Sequence, residues 1–331
     1  MRIPGLKTAK MITKWVRGRL FGGAFILGYH RVHSASGDAY EICVSPENFE
    51  AQMQVLRKFA VPLSLSEMVQ HVQRGTLPRK SVAVTFDDGY ADNLYNAKPV
   101  LEQYQIPASI FIATGYTGKE FWWDELQRLV TTSRSSLERL KPLVHEGKIS
   151  EAAAAGERTR AGSSGTVDRR KIADAMYADL LPLPDYDRAS VMDRVRAWAA
   201  VQPQDSFAHR ALTDDEIVRL AQGGCVSIGA HARSHSILPS LSVPDQLEEV
   251  LQSKQYLESL LGRPVDGFAY PHGQFTNETR AVVEEAGFAF ACASYPDLFW
   301  QSSQQYALPR FWPQDWDGDR FARTLKLWLG D

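Results

Sequence analysis

The chain is poor in cysteine: Cys43, Cys225 and Cys292 are odd in number and far apart in 331 residues. No CxxC pair exists, which argues against a disulfide framework or a zinc-thiolate site. Each lies in an apolar stretch, where a buried free thiol is expected. No apolar run approaches the roughly 18 residues of a transmembrane helix. Neither charge is in excess: 37 Lys and Arg face 39 Asp and Glu, a formal net charge of -2. That balance gives no footprint for nucleic acid. A GxxxxGK[ST] phosphate loop is missing too, which argues against a phosphoryl- or nucleotide-handling enzyme.

Acid is absent from one region. Nothing precedes Asp38, whereas Arg2, Lys7, Lys10, Lys14, Arg17 and Arg19 are basic. The one apolar run there, Phe21 to Tyr29, is broken by Gly22, Gly23 and Gly28 and does not read as a secretory signal. A cytoplasmic location is expected. Residues 6–21 read as a helix with Ile12, Trp15, Val16 and Leu20 on one side and the basic residues largely on the other. That pattern suits peripheral contact with the inner face of a membrane, and equally a solvated basic tail. Residues 1–22 thus form a basic N-terminal segment ahead of a folded domain over 23–331.

Within that domain, apolar runs alternate with helical periodicity. Strands are expected at 25–28, 81–86, 108–112, 225–229, 267–269 and 288–292. Helices are expected at 45–59, 66–74, 96–104, 245–261, 277–286 and 321–329. Strands alternating with helices predict a parallel α/β sheet, curled into a barrel. The rhythm stops between about 120 and 209, which reads as a helical insertion. An Ala-, Gly- and Ser-rich stretch at 151–165 inside it reads as a mobile connector.

Three clusters carry chemistry, each directly after an apolar strand. Thr85-Phe86-Asp87-Asp88-Gly89-Tyr90 pairs two carboxylates, which repel unless a cation or shared proton steadies them; a solvated Asp-Asp-Gly turn is the plain alternative. His231-Ala-Arg-Ser-His235 has histidines at i and i+4, which a helical turn would place on one face. An Asp with two His leaves a coordination position open for water, as in a hydrolytic metal site. Phe268-Ala-Tyr-Pro-His-Gly273 reads as a tight loop whose backbone N–H groups could face an oxyanion, with Tyr270 and His272 as its candidates. The C-terminal rim of a parallel barrel is where such groups gather.

In this order, TFDDGY, HxxxH and the Pro-x-Gly loop resemble the polysaccharide deacetylase family of carbohydrate esterases, over roughly 25–120 and 210–325. The resemblance implies an irregular, distorted (β/α) barrel and metal-dependent removal of acetyl groups from sugars. It assigns Asp87 as general base and Asp88, His231 and His235 as metal ligands. The implied ion is divalent, zinc first, with cobalt, manganese, iron or nickel as alternatives. Two departures stand out. Many members carry an arginine ahead of the proline loop to orient the base; Ala269 stands there, and Arg310 is the candidate substitute. No histidine follows His272 to serve as general acid. Circularly permuted branches carry that histidine after the first strand, where Leu27-Gly-Tyr-His30 fits, with His33 in reserve. Trp122 in the insertion and Trp312, with Trp316 and Phe299, are candidates to line a sugar site or simply to pack. The expected substrate is an N-acetylated amino sugar, nucleotide- or lipid-linked or part of a glycan intermediate, in envelope polysaccharide synthesis. An O-deacetylase, a deformylase and a non-catalytic sugar-binding protein are the alternatives.

Overall fold

The computed structural model describes residues 23–34, 38, 40–137, 140, 168–200 and 210–329. The basic helix expected at 6–21 and the connector expected at 151–165 lie outside the described residues. The chain divides into two compact units, one made of residues up to 118 together with those from 211, the other of 119–210.

The first unit is a curled parallel sheet clad in helices. Its strands are β1 (Phe25–Tyr29), β4 (Val61–Pro62), β5 (Ser81–Phe86), β6 (Ala108–Ile112), β7 (Val226–Ala230), β8 (Gly267–Ala269) and β9 (Phe290–Cys292), after a separate small pair, β2 (Arg31–Val32) and β3 (Cys43–Val44). The sheet order is β1-β5-β6-β7-β8-β9, every pairing parallel, with β4 beside the start of β5. The ends of the sheet meet through the segment around 308–311. Leu308 N–H donates to Ala291 at 2.8 Å on the β9 side, and Phe311 N–H donates to Ile26 at 2.8 Å on the β1 side. An irregular (β/α) barrel results.

Local chemistry sets the helices. Helix α1 (Pro46–Phe59) starts on a proline, whose missing N–H costs nothing there. Helix α2 (Leu65–Arg74) starts on a capping box between Ser64 and Glu67 and stops at left-handed Gly75. A π-helical turn, Asn93–Ala97, leads into α3 (Lys98–Tyr104).

The second unit holds α4 (Trp122–Thr132), α5 (Arg169–Leu180) and α6 (Asp185–Ala199). Their apolar faces bury Trp122, Trp123, Leu126, Met176, Val191 and Val195. Partly buried Arg128 pairs with Glu120 at 2.6 Å.

Back in the first unit, α7 (Asp214–Leu220), α8 (Val243–Leu261), α9 (Asn277–Glu285) and α10 (Gly318–Leu329) complete the cladding.

Strand alternation separates two cores. Leu27, Tyr29, Val82, Val84, Phe86, Ile110, Ile228 and Phe268 point outward into the layer beneath the helices. Ile26, Ala83, Phe111, Ala269, Cys292 and Leu308 belong to a second cluster inside the barrel. With a period of two, His30, Asp87, His231 and Arg310 continue the inward series at the C-terminal ends of their strands. Of the cysteines, only Cys292 is buried; Cys43 and Cys225 are partly exposed, contrary to expectation, because they sit at the first residue or the edge of short elements.

Candidate active site

Two adjacent aspartates end β5, and the backbone parts them. Asp87 keeps the strand's direction, its N–H donating to Tyr29 O at 2.9 Å. Asp88 turns into the left-handed region, φ 71°, which sends its carboxylate away from its neighbour. Both are buried, 3% and 4% exposed.

Asp87 is held by Arg310, which is fully buried. The guanidinium donates from both terminal nitrogens to the two carboxylate oxygens, each at 2.7 Å, and from Nε to Ala293 O at 2.8 Å. Such a fork fixes both position and plane. Burial alone would raise the Asp87 carboxyl, but Arg310 and the imidazoles of His231 and His30 bring it below the usual range.

Asp88 has different company. Its Oδ1 is buried with no hydrogen-bond donor aligned on it. It faces Nε2 of His231 at 3.5 Å and Nε2 of His235 at 3.2 Å. One ligand atom from each of the three lies within 4.8 Å of the others. His231 Nδ1 bonds to Ala269 O at 2.7 Å; a carbonyl only accepts, so Nδ1 carries the proton and Nε2 keeps its lone pair. Burial lowers the His231 pKa to about 4, so the ring is neutral at pH 7. An unsatisfied carboxylate oxygen beside a neutral imidazole with a free lone pair fits a divalent cation, and the N,N,O set suits zinc among others.

The histidine loop is not a helical turn, as the i, i+4 spacing suggests. Ala232 and His235 are left-handed, φ 57° and 56°, and the rings converge through these two bends, 4.9 Å apart. Glu249 of α8 shapes the loop: one carboxylate oxygen accepts the N–H groups of Arg233 and Ser234 at 3.0 and 2.7 Å. Sequence reading missed Glu249, because a buried acid on a long helix carries no motif.

His30 leaves β1 half-buried, its ring stacked on Trp312 at 4.9 Å and 20°. It acts electrostatically on both aspartates. Trp312 lies so close over β1 that a Cβ at Gly28 would meet its ring at 2.6 Å. Glycine there is what admits the indole. Arg310 lies 4.7 Å from the same ring. Trp312 thus supports His30 as well as bordering the site.

His272, left-handed at φ 57°, packs edge-on against His235 at 4.6 Å. Burial lowers its pKa to about 3. Gly273 closes this loop where a side chain would strike Ser294 at 2.3 Å. Tyr270 is a correction. Directly after β8 it turns outward, donating its hydroxyl to Tyr306 O and its N–H to Cys292 O, so neither donor serves the rim. Trp122 packs within the second unit, stacked on Tyr177 at 5.2 Å.

A family model described as polysaccharide deacetylase matches residues 74–136 and 192–291. Poly-beta-1,6-N-acetyl-D-glucosamine N-deacetylase of Staphylococcus aureus is 36% identical over 110 residues, 29% of this chain and 38% of that protein. The Staphylococcus epidermidis protein of the same name is 33% identical over 108 residues, 29% of this chain and 37% of that one. The chain therefore spans under two-fifths of the length of these relatives. A Streptococcus pyogenes deacetylase solved with acetate shares the fold, with TM-score 0.59 and 18% identity over 92% of this chain and 98% of that one. IcaB from Ammonifex degensii matches with TM-score 0.59 and 17% identity, over 94% and 98%.

Proposed function

The chain carries a polysaccharide deacetylase domain, and from that premise we propose that it hydrolyses the N-acetyl group of an amino sugar. The observation that carries this reading is the division of labour at the end of β5. One carboxylate is charged and clamped by Arg310, and its neighbour is unsatisfied beside two imidazoles.

Asp88, His231 and His235 would hold a divalent ion, which when bound supplies a Lewis acid for water and for the acyl oxygen. Asp87 accepts the proton of the attacking water. Its fork to Arg310 fixes the direction of that transfer at some expense in basicity. His30 gives a proton to the departing amine, which is a poor leaving group without one. Trp312 keeps the imidazole oriented. The backbone of the His272 loop borders the acyl oxygen, and the low basicity of His272 keeps it neutral there.

The substrate belongs to this proposal: an N-acetylated glycan intermediate, or its nucleotide- or lipid-linked precursor, in cell-envelope polysaccharide synthesis. The names of the staphylococcal relatives support N-acetylglucosamine as the sugar. The location is a further part of the proposal: cytoplasmic and peripheral to the membrane's inner face, with residues 6–21 as the contact. Binding of the full chain to anionic but not neutral vesicles tests that part.

Acetate release by the metal-loaded chain tests the activity. The panel comprises N-acetylated nucleotide sugars, lipid-linked sugars and short β-1,6-linked N-acetylglucosamine oligomers, with Asp87→Asn beside wild type. Release by wild type and its loss in the variant is the expected result. Release from O-acetyl esters alone, or from nothing while metal is bound, would contradict the reading.

A further inference from the structure

The stretch that follows β5 does more than carry two aspartates. After Tyr90 and Ala91 it places Asp92 at the head of the π-helical turn Asn93–Ala97. Such turns are rare and collect near functional sites, because the wider turn aims side chains where an α-helix would not. Here three polar side chains converge on the residues just after β1. Asn93 Nδ2 donates to His30 O at 2.9 Å, and Asn96 Nδ2 donates to Val32 O at 2.7 Å. Asp92 accepts Val32 N–H at 3.1 Å and Arg31 Nε at 3.0 Å. Asp92 and Asn93 are both fully buried.

Asn93 is not placed there for its own bonding. Its Oδ1 is buried without a hydrogen bond, so half the amide is desolvated for nothing. What the residue supplies is the amide N–H group, shared between His30 O and Asp92 Oδ1. The bonds grip the backbone of His30 and Val32 and the side chain of Arg31, while Trp312 supports the imidazole.

We infer that Asn93 and Asp92 are positioning residues for His30. A single stretch of chain bears Asp87 and Asp88 and also fixes the peptide of the proton donor, so base, ligand and acid keep their separations together. The inference rests on the proposed role of His30 as general acid.

The test exploits the leaving group. An acetamide must have its amine protonated, whereas 4-nitrophenyl acetate expels a phenolate that needs no proton. kcat is measured for the metal-loaded full chain on both, with the N-acetylated oligomer of the panel as the amide. His30→Ala should lower amide turnover by roughly 100-fold and leave ester turnover nearly unchanged. The isosteric Asn93→Leu should lower amide turnover by roughly tenfold with the same ester sparing and unchanged metal content, as expected for a misplaced catalytic group. Combined with His30→Ala it should add nothing further. If Asn93→Leu folds poorly, the half-buried Asn96→Ala carries the same prediction. Equal losses on both substrates, or none, while His30→Ala separates them, would overturn the positioning role. Failure of His30→Ala to separate them would instead remove the role of His30 itself.

Discussion

Asp87 and Asp88 leave the same strand end and are almost equally buried, yet both oxygens of one are clamped by Arg310 while Oδ1 of the other has no hydrogen bond. The Asp87 side is complete in the protein alone: a charged group, its counter-ion and a fork of hydrogen bonds. The Asp88 side joins a carboxylate oxygen without a hydrogen bond to the neutral ring of His231, with His235 beside them, which costs stability until a cation arrives. The contrast teaches where each side's energy comes from. Folding pairs one carboxylate, and binding pairs the other.

Variants on the two sides should therefore fail in different ways. The largest effect is expected on the Asp88 side: His235→Ala should abolish both metal uptake and turnover, with folding of the metal-free chain little changed. Metal content after dialysis and a thermal melt check this. Next comes Arg310→Met, which strands a buried carboxylate and should cost about 3–5 kcal/mol in urea unfolding while metal still binds. Loss of metal without loss of stability would erase the distinction.

A pH series sharpens the same comparison. Burial holds His231 and His272 neutral, with pKa values of about 4 and 3. Unfolded, both rings take protons near pH 6.5. Stability of the metal-free chain is then complete above pH 6.5 and falls as pH drops toward 4, by on the order of 3 kcal/mol for His231 alone. His231→Gln should flatten that slope. Asp87, whose folded pKa is depressed, adds stability that is present above the ordinary carboxylate range and is lost only as pH falls below it. The smallest effect belongs to Gly28→Ala, which crowds Trp312 and should cost about 1–3 kcal/mol without touching metal content.

Much of the barrel was legible because β5, β6 and β7 are apolar runs ending in polar motifs. Period-two alternation then says which rim residues face inward. The same alternation places Tyr270 outward, a constraint that a motif-level reading of the proline loop overlooks. The closing segment around Leu308 to Phe311 was illegible as a strand, since its single bridges and Pro309 leave no periodic run. Arg310 was accordingly visible only as a substitute for a missing arginine, not as the inward residue of a barrel-closing segment. The left-handed bends at Ala232 and His235 gave no signal, because alanine disfavours that region and most histidines, though tolerant of it, do not adopt it. They depend on Glu249, seventeen and fourteen residues further along the chain but adjacent in space to the loop it holds.

The central claim is that the two aspartates have separate roles, and one paired measurement tests it most directly. Asp87→Asn and Asp88→Asn are each loaded with zinc, dialysed, and measured for bound metal and for acetate release from the N-acetylated panel. The account predicts that Asp87→Asn keeps its metal and loses turnover, whereas Asp88→Asn loses both. Full turnover in Asp87→Asn, or metal retained in Asp88→Asn as in wild type, would contradict it.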